Sequence, residues 1–219
     1  MLKHGVCYEP EQWTTAQAKD HVRRMVKARI QVVRMGPFSW SRFEPEEGRF
    51  DFDWMDGIIG ELAAEGISTI LCTPTAVAPP WALAKYPDMA ALGRNARTLA
   101  RGGISVCSRH APEYIDLCKI IVSTLAEHYA ATKGVVGWQI DPLLTASWTT
   151  RDYSHHARRA FQLWLKARYP NIHALNEAWG ASALGCMYSN WGEIPLPRHA
   201  PPGPNPGHWL DFARFSSDS

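Results

Sequence analysis

The segment IQVVRM, which spans Ile30–Met35, is β-branched and almost continuously apolar. That composition is typical of a strand buried on both faces of a parallel sheet. Similar apolar runs occur at His4–Tyr8, at Ser68–Cys72 (STILC) and at Val135–Ile140 (VVGWQI). Because segments with helical periodicity separate and follow these runs, the sequence predicts an α/β fold in which parallel strands are covered by helices.

Capping residues and apolar periodicity locate the helices. Thr14 or Thr15 suits the N-terminus of the first helix, and Pro112 suits the first position of the third. Between residues 73 and 111 the chain is predicted to be mostly loop, with a short helical piece near Trp81–Tyr86. Helices are predicted over about residues 14–28, 51–66, 112–131, 155–169 and 172–179.

The number of β/α units limits the architecture. No internal repeat and no second domain is evident, so residues 1–219 are predicted to form a single domain with a Pro/Gly-rich tail from about Ile194 to Gly207. The four predicted strands with their helices give four β/α units. Four such units build half of an eight-stranded (β/α)₈ barrel, but they also build a small open doubly wound sheet. No GxGxxG motif follows the first strand, so a dinucleotide site has no support. The pattern of elements alone leaves both architectures open.

Composition excludes several functional classes. The chain is 46% hydrophobic and 20% charged with a formal net charge of +2, as expected of an ordinary globular protein. Its Lys and Arg residues are scattered, so we expect no nucleic-acid partner. No apolar stretch is long enough for a membrane span, and the N-terminus does not resemble a signal peptide, so we expect a cytoplasmic protein. The ten tryptophans suit either a core or a carbohydrate site.

The cysteines agree with a reducing compartment. The five cysteines are odd in number and include no CxxC pair. We therefore expect buried thiols and no disulfide framework.

Five motifs carry a resemblance to a known family. They are GVCYEPEQW (Gly5–Trp13), FSWSRFEPEEGRFDFDWMD (Phe38–Asp56), TPTAVAPPWALAKYP (Thr73–Pro87), GWQID (Gly137–Asp141) and LNEAWG (Leu175–Gly180). In this order they resemble successive motifs of the family 42 glycoside hydrolases, the microbial β-galactosidases, and LDFARFSSDS (Leu210–Ser219) resembles the family's next barrel helix.

This resemblance favours the barrel over the open sheet, and it implies the N-terminal half of a catalytic barrel. The family's activity is retaining hydrolysis of β-galactosides by two glutamates about 5 Å apart. The resemblance implies a galactoside ligand and no cofactor. It places the nucleophile on a seventh strand, which would follow Ser219.

Departures from the family pattern bear on activity. After GWQID the family reads Asn-Glu, whereas this chain reads Pro142-Leu143. Leucine at the acid/base position cannot exchange a proton. The sequence therefore predicts a truncated, divergent glycosidase of β-galactosidase type whose activity is weak or lost. The alternative is a non-catalytic carbohydrate-binding or interaction module on a half-barrel scaffold.

Other family positions have also changed here. A family glutamate after the second strand falls on Pro37 in this chain. Across loops, the resemblance places Ile104 and Ser105 on an Arg-His pair of the family, and Ala183 and Leu184 on a Phe-Trp pair. Polar or aromatic groups are thus replaced by apolar or small ones.

The remaining candidates for catalysis are carboxylates. Glu9 and Glu11 follow the first strand, where a barrel site would lie, and Asp141 is the carboxylate left at the end of the fourth strand. We name these three as surrogate catalytic residues. Exposed helix-capping charges are the simpler interpretation of Glu9 and Glu11, and Asp141 precedes the catalytic pair and points away from the sugar in the family.

Substrate-binding candidates come from the same comparison. Arg34 closes the second strand and matches the family's substrate-contacting arginine, although an ion pair at a barrel rim is an equal alternative. Trp81, Trp148 and Trp191 are loop aromatics that could stack on sugar. We expect Trp138 to lie in the core and Glu44 to fix the turn before the second helix.

No metal site is predicted. Some family members bind a structural zinc through four cysteines, and Cys107 matches the first of these ligands. The other three positions hold Asp152, Ser154 and Ala157. His155 and His156 are adjacent, so we expect them to point to different faces of a helix.

A half-barrel has open sheet edges and an exposed apolar interior. Open edges invite pairing with other chains. We therefore expect either self-association of two half-barrels or a cover formed by the chain's own loops and tail.

Overall fold

The computed structural model describes residues 3–101, 104–140, 151–198 and 205–218. Asp141, Pro142, Leu143 and Trp148 therefore lie outside the described residues. The chain forms two compact units. The first comprises residues 1–87 and 116–149, and the second comprises residues 88–115 and 150–219. The single domain expected over residues 1–219 stays a prediction.

The first unit contains the sheet. Its strands are β1 (Gly5–Cys7), β2 (Val32–Met35), β3 (Ser68–Cys72) and, after two short strands of the second unit, β6 (Val135–Gln139). They pair in parallel in the order β1-β2-β3-β6. The helices of this unit are α1 (Thr15–Lys27), α2 (Trp40–Phe43), α3 (Asp53–Ala64) and α4 (Pro80–Lys85). The predicted α/β fold with parallel strands is confirmed.

Local signals explain the first β/α units. The Thr14 hydroxyl accepts a hydrogen bond from Gln17 N, and the Gln17 side chain accepts one from Thr14 N, so a capping box starts α1 one residue after Thr14. Val33, Met35 and Leu71 are fully buried, as are Met55, Ile59 and Leu62 of α3. One face of the sheet is thus covered by an apolar helix surface.

A glycine brings the fourth strand in close. Gly134 has φ of +99°, and a Cβ there would lie 2.9 Å from Ala63 Cβ of α3. Only glycine fits both the left-handed backbone and that approach. The turn therefore lets β6 begin directly beside α3.

The turn before α3 is organised by a buried carboxylate. Glu44 is 1% exposed, and its side chain accepts hydrogen bonds from Trp40 Nε1 at 2.8 Å and Gly48 N at 2.9 Å. Its backbone carbonyl accepts another from Trp81 Nε1 at 2.8 Å. The prediction that Glu44 fixes this turn is confirmed.

The expectation that Trp138 lies in the core is wrong. Trp138 is 39% exposed, Val136 on the same face of β6 is 58% exposed, and Ile140, which follows the strand, is 74% exposed. Within the described sheet β6 pairs only with β3, so its side chains have strand neighbours on one side alone. The apolar pattern marked the strand correctly but could not show that it lies at an edge.

The second unit is mainly helical. It contains a small antiparallel pair, β4 (Ala100–Arg101) and β5 (Ile104–Ser105), and the helices α6 (His155–Arg168), α7 (Ile172–Ala178) and α8 (Pro206–Asp218). Helix α5 (Pro112–Tyr129) begins in this unit and continues in the first. The core of the second unit is rich in aromatic side chains, namely Tyr153, Phe161, Trp179, Trp209, Phe212 and Phe215.

The predicted tail is partly structured. Ile194–Arg198 is irregular, as expected, but Ile194 is fully buried and Leu196 is 5% exposed within the aromatic core. Helix α8 then begins at Pro206. Proline and glycine content correctly indicated irregular backbone, but it gave no information about burial.

None of the five cysteines forms a disulfide, but the expectation that all of them are buried is wrong. Cys72 is buried as expected, but Cys7 and Cys186 are exposed. Among the described residues, no helix combines the length and the apolar character that crossing a membrane requires.

A buried aspartate holds the second unit together. Asp211 of α8 is 1% exposed and accepts hydrogen bonds from Tyr169 Oη at 2.6 Å and Trp179 Nε1 at 2.9 Å. Arg214 Nη1 donates to its other oxygen at 3.0 Å. One carboxylate therefore joins α8 to the ends of α6 and α7.

We predict that Asp211→Ala lowers the free energy of unfolding by about 3 kcal/mol, because it leaves buried donors without an acceptor. Urea unfolding followed by circular dichroism measures this change. Asp218→Ala is the matched control, because Asp218 also accepts from an indole, Trp164 Nε1 at 2.9 Å, but is exposed. Equal losses for the two variants would contradict the role of Asp211.

Candidate functional site

The carboxyl ends of the parallel strands bring polar side chains together. Arg34, near the end of β2, donates from Nη1 to Gln139 Oε1 of β6 at 2.8 Å. The Cys72 thiol at the end of β3 lies 3.5 Å from the same oxygen. In parallel α/β sheets, ligands bind at this end of the strands. These three residues form what we call the strand-end cluster.

Arg34 retains binding capacity in this cluster. Its Nε is buried and has no hydrogen-bond partner among the described residues. An arginine carries five N–H donors in a fixed plane, and leaving one buried and unsatisfied is costly. Where the sequence left an ion pair as an alternative, the observed contact is with the neutral amide of Gln139.

Glu11 lies close enough to the strand ends for its charge to raise the pKa of the Cys72 thiol. It follows β1 in a turn of 3₁₀ helix, Pro10–Gln12, and its Oε2 is buried without a hydrogen-bond partner among the described residues. Burial raises the pKa of the Glu11 carboxyl, and the Ser39 hydroxyl and the Arg42 guanidinium act in the opposite direction. A carboxyl with a raised pKa is suited to hold a proton for transfer.

The charge of Glu11 affects the pKa of two neighbouring groups, the Cys72 thiol and the Tyr8 hydroxyl. Burial raises the pKa of the Cys72 thiol to about 11, the charge of Arg34 lowers it, and the charge of Glu11 raises it. Burial also raises the pKa of Tyr8 to about 12, with the charge of Glu11 as a further cause. The charges of Glu11 and Arg34 therefore both influence the Cys72 thiol at the end of β3.

Glu9 is arranged differently from Glu11. Its carboxylate accepts a hydrogen bond from the Gln12 side-chain amide within the same turn. Its charge contributes to raising the pKa of Glu11. The charges of these two carboxyl groups therefore influence each other.

The predicted aromatic platforms are held by other contacts. Trp81 is half-buried and its indole N–H donates to Glu44 O. Trp191, in the second unit, packs against the aromatic core of that unit. Their roles as sugar platforms stay predictions, as does that of Trp148 outside the described residues.

Sequence reasoning did not select Tyr8, Cys72 or Gln139 as site residues. Cys72 and Gln139 are the last residues of β3 and β6, and they pair with each other in register. The alternation of side chains along a strand places them on the face of Arg34. The sequence indicates where β3 and β6 end, but the register that pairs Cys72 with Gln139 becomes known only with the structure.

In the second unit, two positions that the resemblance assigns to zinc ligands make hydrogen bonds instead. Asp152 accepts from Leu92 N at 3.1 Å and from Ser154 N at 2.8 Å. The Ser154 hydroxyl accepts from Ala157 N at 3.2 Å and so caps α6. A polar network thus fixes the start of this helix.

The expectation that His155 and His156 point apart is wrong. Their ring centroids lie 3.9 Å apart, and both Nε2 atoms lie near the Asp88 carboxylate. The residues occupy the first turn of α6, where adjacent side chains can still converge on a group beyond the helix end.

The second unit also contains a cavity of about 590 Å³, lined in part by Tyr153, His155, Arg158 and His208. Burial lowers the pKa of His208 to about 4, and a nitrogen of this ring lies 2.8 Å from Pro195 O. Glu9 and Glu11, the two surrogate carboxylates that the structure describes, do not line this cavity.

A parallel sheet covered by helices, with polar side chains at the carboxyl ends of its strands, is the arrangement found at the ligand-binding end of (β/α) barrels. The family model for glycoside hydrolase family 42, described as beta-galactosidase, matches residues 7–219. The chain belongs to this family, and the resemblance seen in the sequence is confirmed.

Individual relatives of the chain support its assignment to this family. The beta-galactosidase BgaA of a Thermus species is 42% identical over 214 residues, which is 98% of this chain and 33% of the relative. The beta-galactosidase structures from the psychrophilic Marinomonas ef1 and from Halorubrum lacusprofundi each match 99% of this chain with a TM-score of 0.92 and 35% identity. The chain spans about a third of the length of these relatives, and the half-barrel is confirmed over the open sheet.

We predict that Glu11→Gln raises stability at neutral pH. When the pKa of a carboxyl is raised in the folded state, the free energy of unfolding of the protein falls as the pH rises from the ordinary glutamate pKa through the raised pKa. The neutral amide does not carry this burial cost. Denaturant unfolding between pH 4 and pH 8 should show a flatter profile for the variant, and a less stable variant at neutral pH would contradict this.

Proposed function

We propose that this chain is a glycoside hydrolase of β-galactosidase type whose strand-end cluster binds a terminal β-galactoside and whose turnover is weak or lost. The observation that carries the proposal is the placement of Arg34, Gln139 and Glu11 at the carboxyl ends of the parallel strands. The names of the relatives supply the sugar, because those proteins are called beta-galactosidases.

The chemistry of the cluster suits a sugar. Each hydroxyl of a sugar can donate one hydrogen bond and accept others, so it is recognised best by a donor and an acceptor together. Arg34 Nε offers the buried donor and Glu11 Oε2 the buried acceptor. Bonds with charged groups are stronger than neutral ones, which favours this pair for orienting a ligand.

The position that the family uses as its acid/base argues for weak turnover. Leu143 stands there in this sequence, and a positioned acid contributes about 10²–10⁴-fold to such reactions. Glu11 is the best-supported surrogate because burial raises its pKa. Glu9 and Asp141 complete the set of surrogate carboxylates that we propose.

The first experiment measures turnover of a chromogenic β-galactoside by the purified chain. The comparison is a triple variant, Glu9→Gln, Glu11→Gln and Asp141→Asn, with Glu65→Gln as a control on an exposed helix end. We expect weak turnover that the triple variant abolishes and the control retains. Turnover that the triple variant keeps would contradict a role for these carboxylates.

Binding is measured separately by calorimetry with galactose. We expect Arg34→Met to weaken binding by about ten- to a hundredfold, because it removes hydrogen bonds made by a charged group. Saturable binding without any turnover would favour the alternative, a non-catalytic carbohydrate-binding module, which the same buried donor and acceptor support. No binding by the natural chain would contradict both functions.

We also propose that the chain associates with itself through the edge of its sheet. Strand β6 has one strand neighbour among the described residues. Val136 and Trp138 on one of its faces, and Ile140 directly after the strand, are all substantially exposed. Unpaired strand edges and contiguous apolar side chains mark surfaces that pair with other chains.

Sedimentation velocity at several concentrations tests this association. We expect a concentration-dependent dimer that Ile140→Lys weakens, because a charge would be buried at the contact. Leu163→Lys is the matched control, because Leu163 is 57% exposed but lies on α6 in the second unit. A monomer at every concentration would refute the proposal.

A further inference from the structure

Three side chains of the second unit converge on one point. His155 and His156 are the first two residues of α6, and Asp88 lies in the 3₁₀ turn Pro87–Met89. Asp88 Oδ2 lies 3.2 Å from His155 Nε2 and 3.3 Å from His156 Nε2. All three potential ligand atoms lie within 4.8 Å of one another.

Hydrogen bonding does not account for the whole arrangement. His156 Nε2 is buried and has no hydrogen-bond partner among the described residues, although the carboxylate oxygen is only 3.3 Å away. Buried ring nitrogens are normally satisfied by a partner. This nitrogen lies within 4.8 Å of the other two potential ligand atoms.

The spacing fits a tetrahedral metal ion. Zinc binds histidine nitrogen at about 2.0–2.1 Å and carboxylate oxygen at about 2.0–2.2 Å, so neighbouring ligands of a tetrahedron lie about 3.3 Å apart. The two nitrogen–oxygen distances, 3.2 Å and 3.3 Å, agree with this edge length. Two imidazoles and a carboxylate also form a ligand set that suits zinc.

We propose that Asp88, His155 and His156 bind a divalent zinc ion, with the fourth position open to solvent. The Asp88 and His155 side chains are 71% and 62% exposed, whereas that of His156 is 13% exposed. The ion can therefore enter from the surface, and His156 anchors it on the buried side.

The local structure holds two of the ligands in place. Ser154 caps the helix immediately before the histidines, and Asp152 fixes the backbone of Ser154. A helix N-terminus disfavours a cation, and the Asp88 carboxylate offsets that effect. Zinc at this point would tie residue 88 to residues 155 and 156, so it would stabilise the second unit by closing a long loop.

The test titrates zinc into the full chain after treatment with a chelator. Calorimetry is expected to show one equivalent of zinc binding, and zinc is expected to raise the thermal unfolding midpoint. Binding should weaken at least tenfold in Asp88→Asn and in His156→Ala. His173→Ala is the matched control, because His173 lies on a helix surface 3.6 Å from the single carboxylate of Glu177.

Cobalt(II) identifies the ligands independently. The expected spectrum is that of a tetrahedral nitrogen and oxygen site, which Asp88→Asn and His156→Ala abolish and His173→Ala retains. Circular dichroism confirms that each variant is folded. A strong thiolate-to-cobalt charge-transfer band, or equal zinc affinity in the natural chain and in His156→Ala, would overturn the proposal.

Discussion

Parallel pairing between the strands determines which side chains meet in the first unit. Arg34 of β2 pairs with Ile70 of β3, and Ile70 in turn pairs with Gly137 of β6. This register lets Arg34 reach across β3 to Gln139, a residue 105 positions later in the sequence. A shift of one residue in either pairing would place the Gln139 side chain on the opposite face of the sheet from Arg34, and the strand-end cluster would not form.

The site and the scaffold are stabilised in different ways. The scaffold residues Glu44 and Asp211 are 1% exposed, and their carboxylates are satisfied by several donors. At the strand ends, Glu11 Oε2 and Arg34 Nε are buried without partners. Unsatisfied buried groups reduce stability, so Glu11 and Arg34 contribute less to the stability of the fold than the fully hydrogen-bonded carboxylates do.

The sequence predicted the elements better than their surroundings. β3 and the capped start of α1 follow directly from β-branched runs and from Thr14, because these signals are local. Trp138 and the histidine pair were misplaced because exposure and convergence depend on the arrangement of distant segments. For the site, Arg34 and Glu11 came from family likeness and strand position, whereas Gln139 required the register.

The hydrogen bonds of Glu44 have an evolutionary consequence. This residue joins residues 40, 48 and 81 through its own side chain and backbone, without using any of the proposed catalytic groups. Substitution of those groups therefore leaves the hydrogen bonds of this turn in place. The turn can be inherited unchanged while the residues at the strand ends vary.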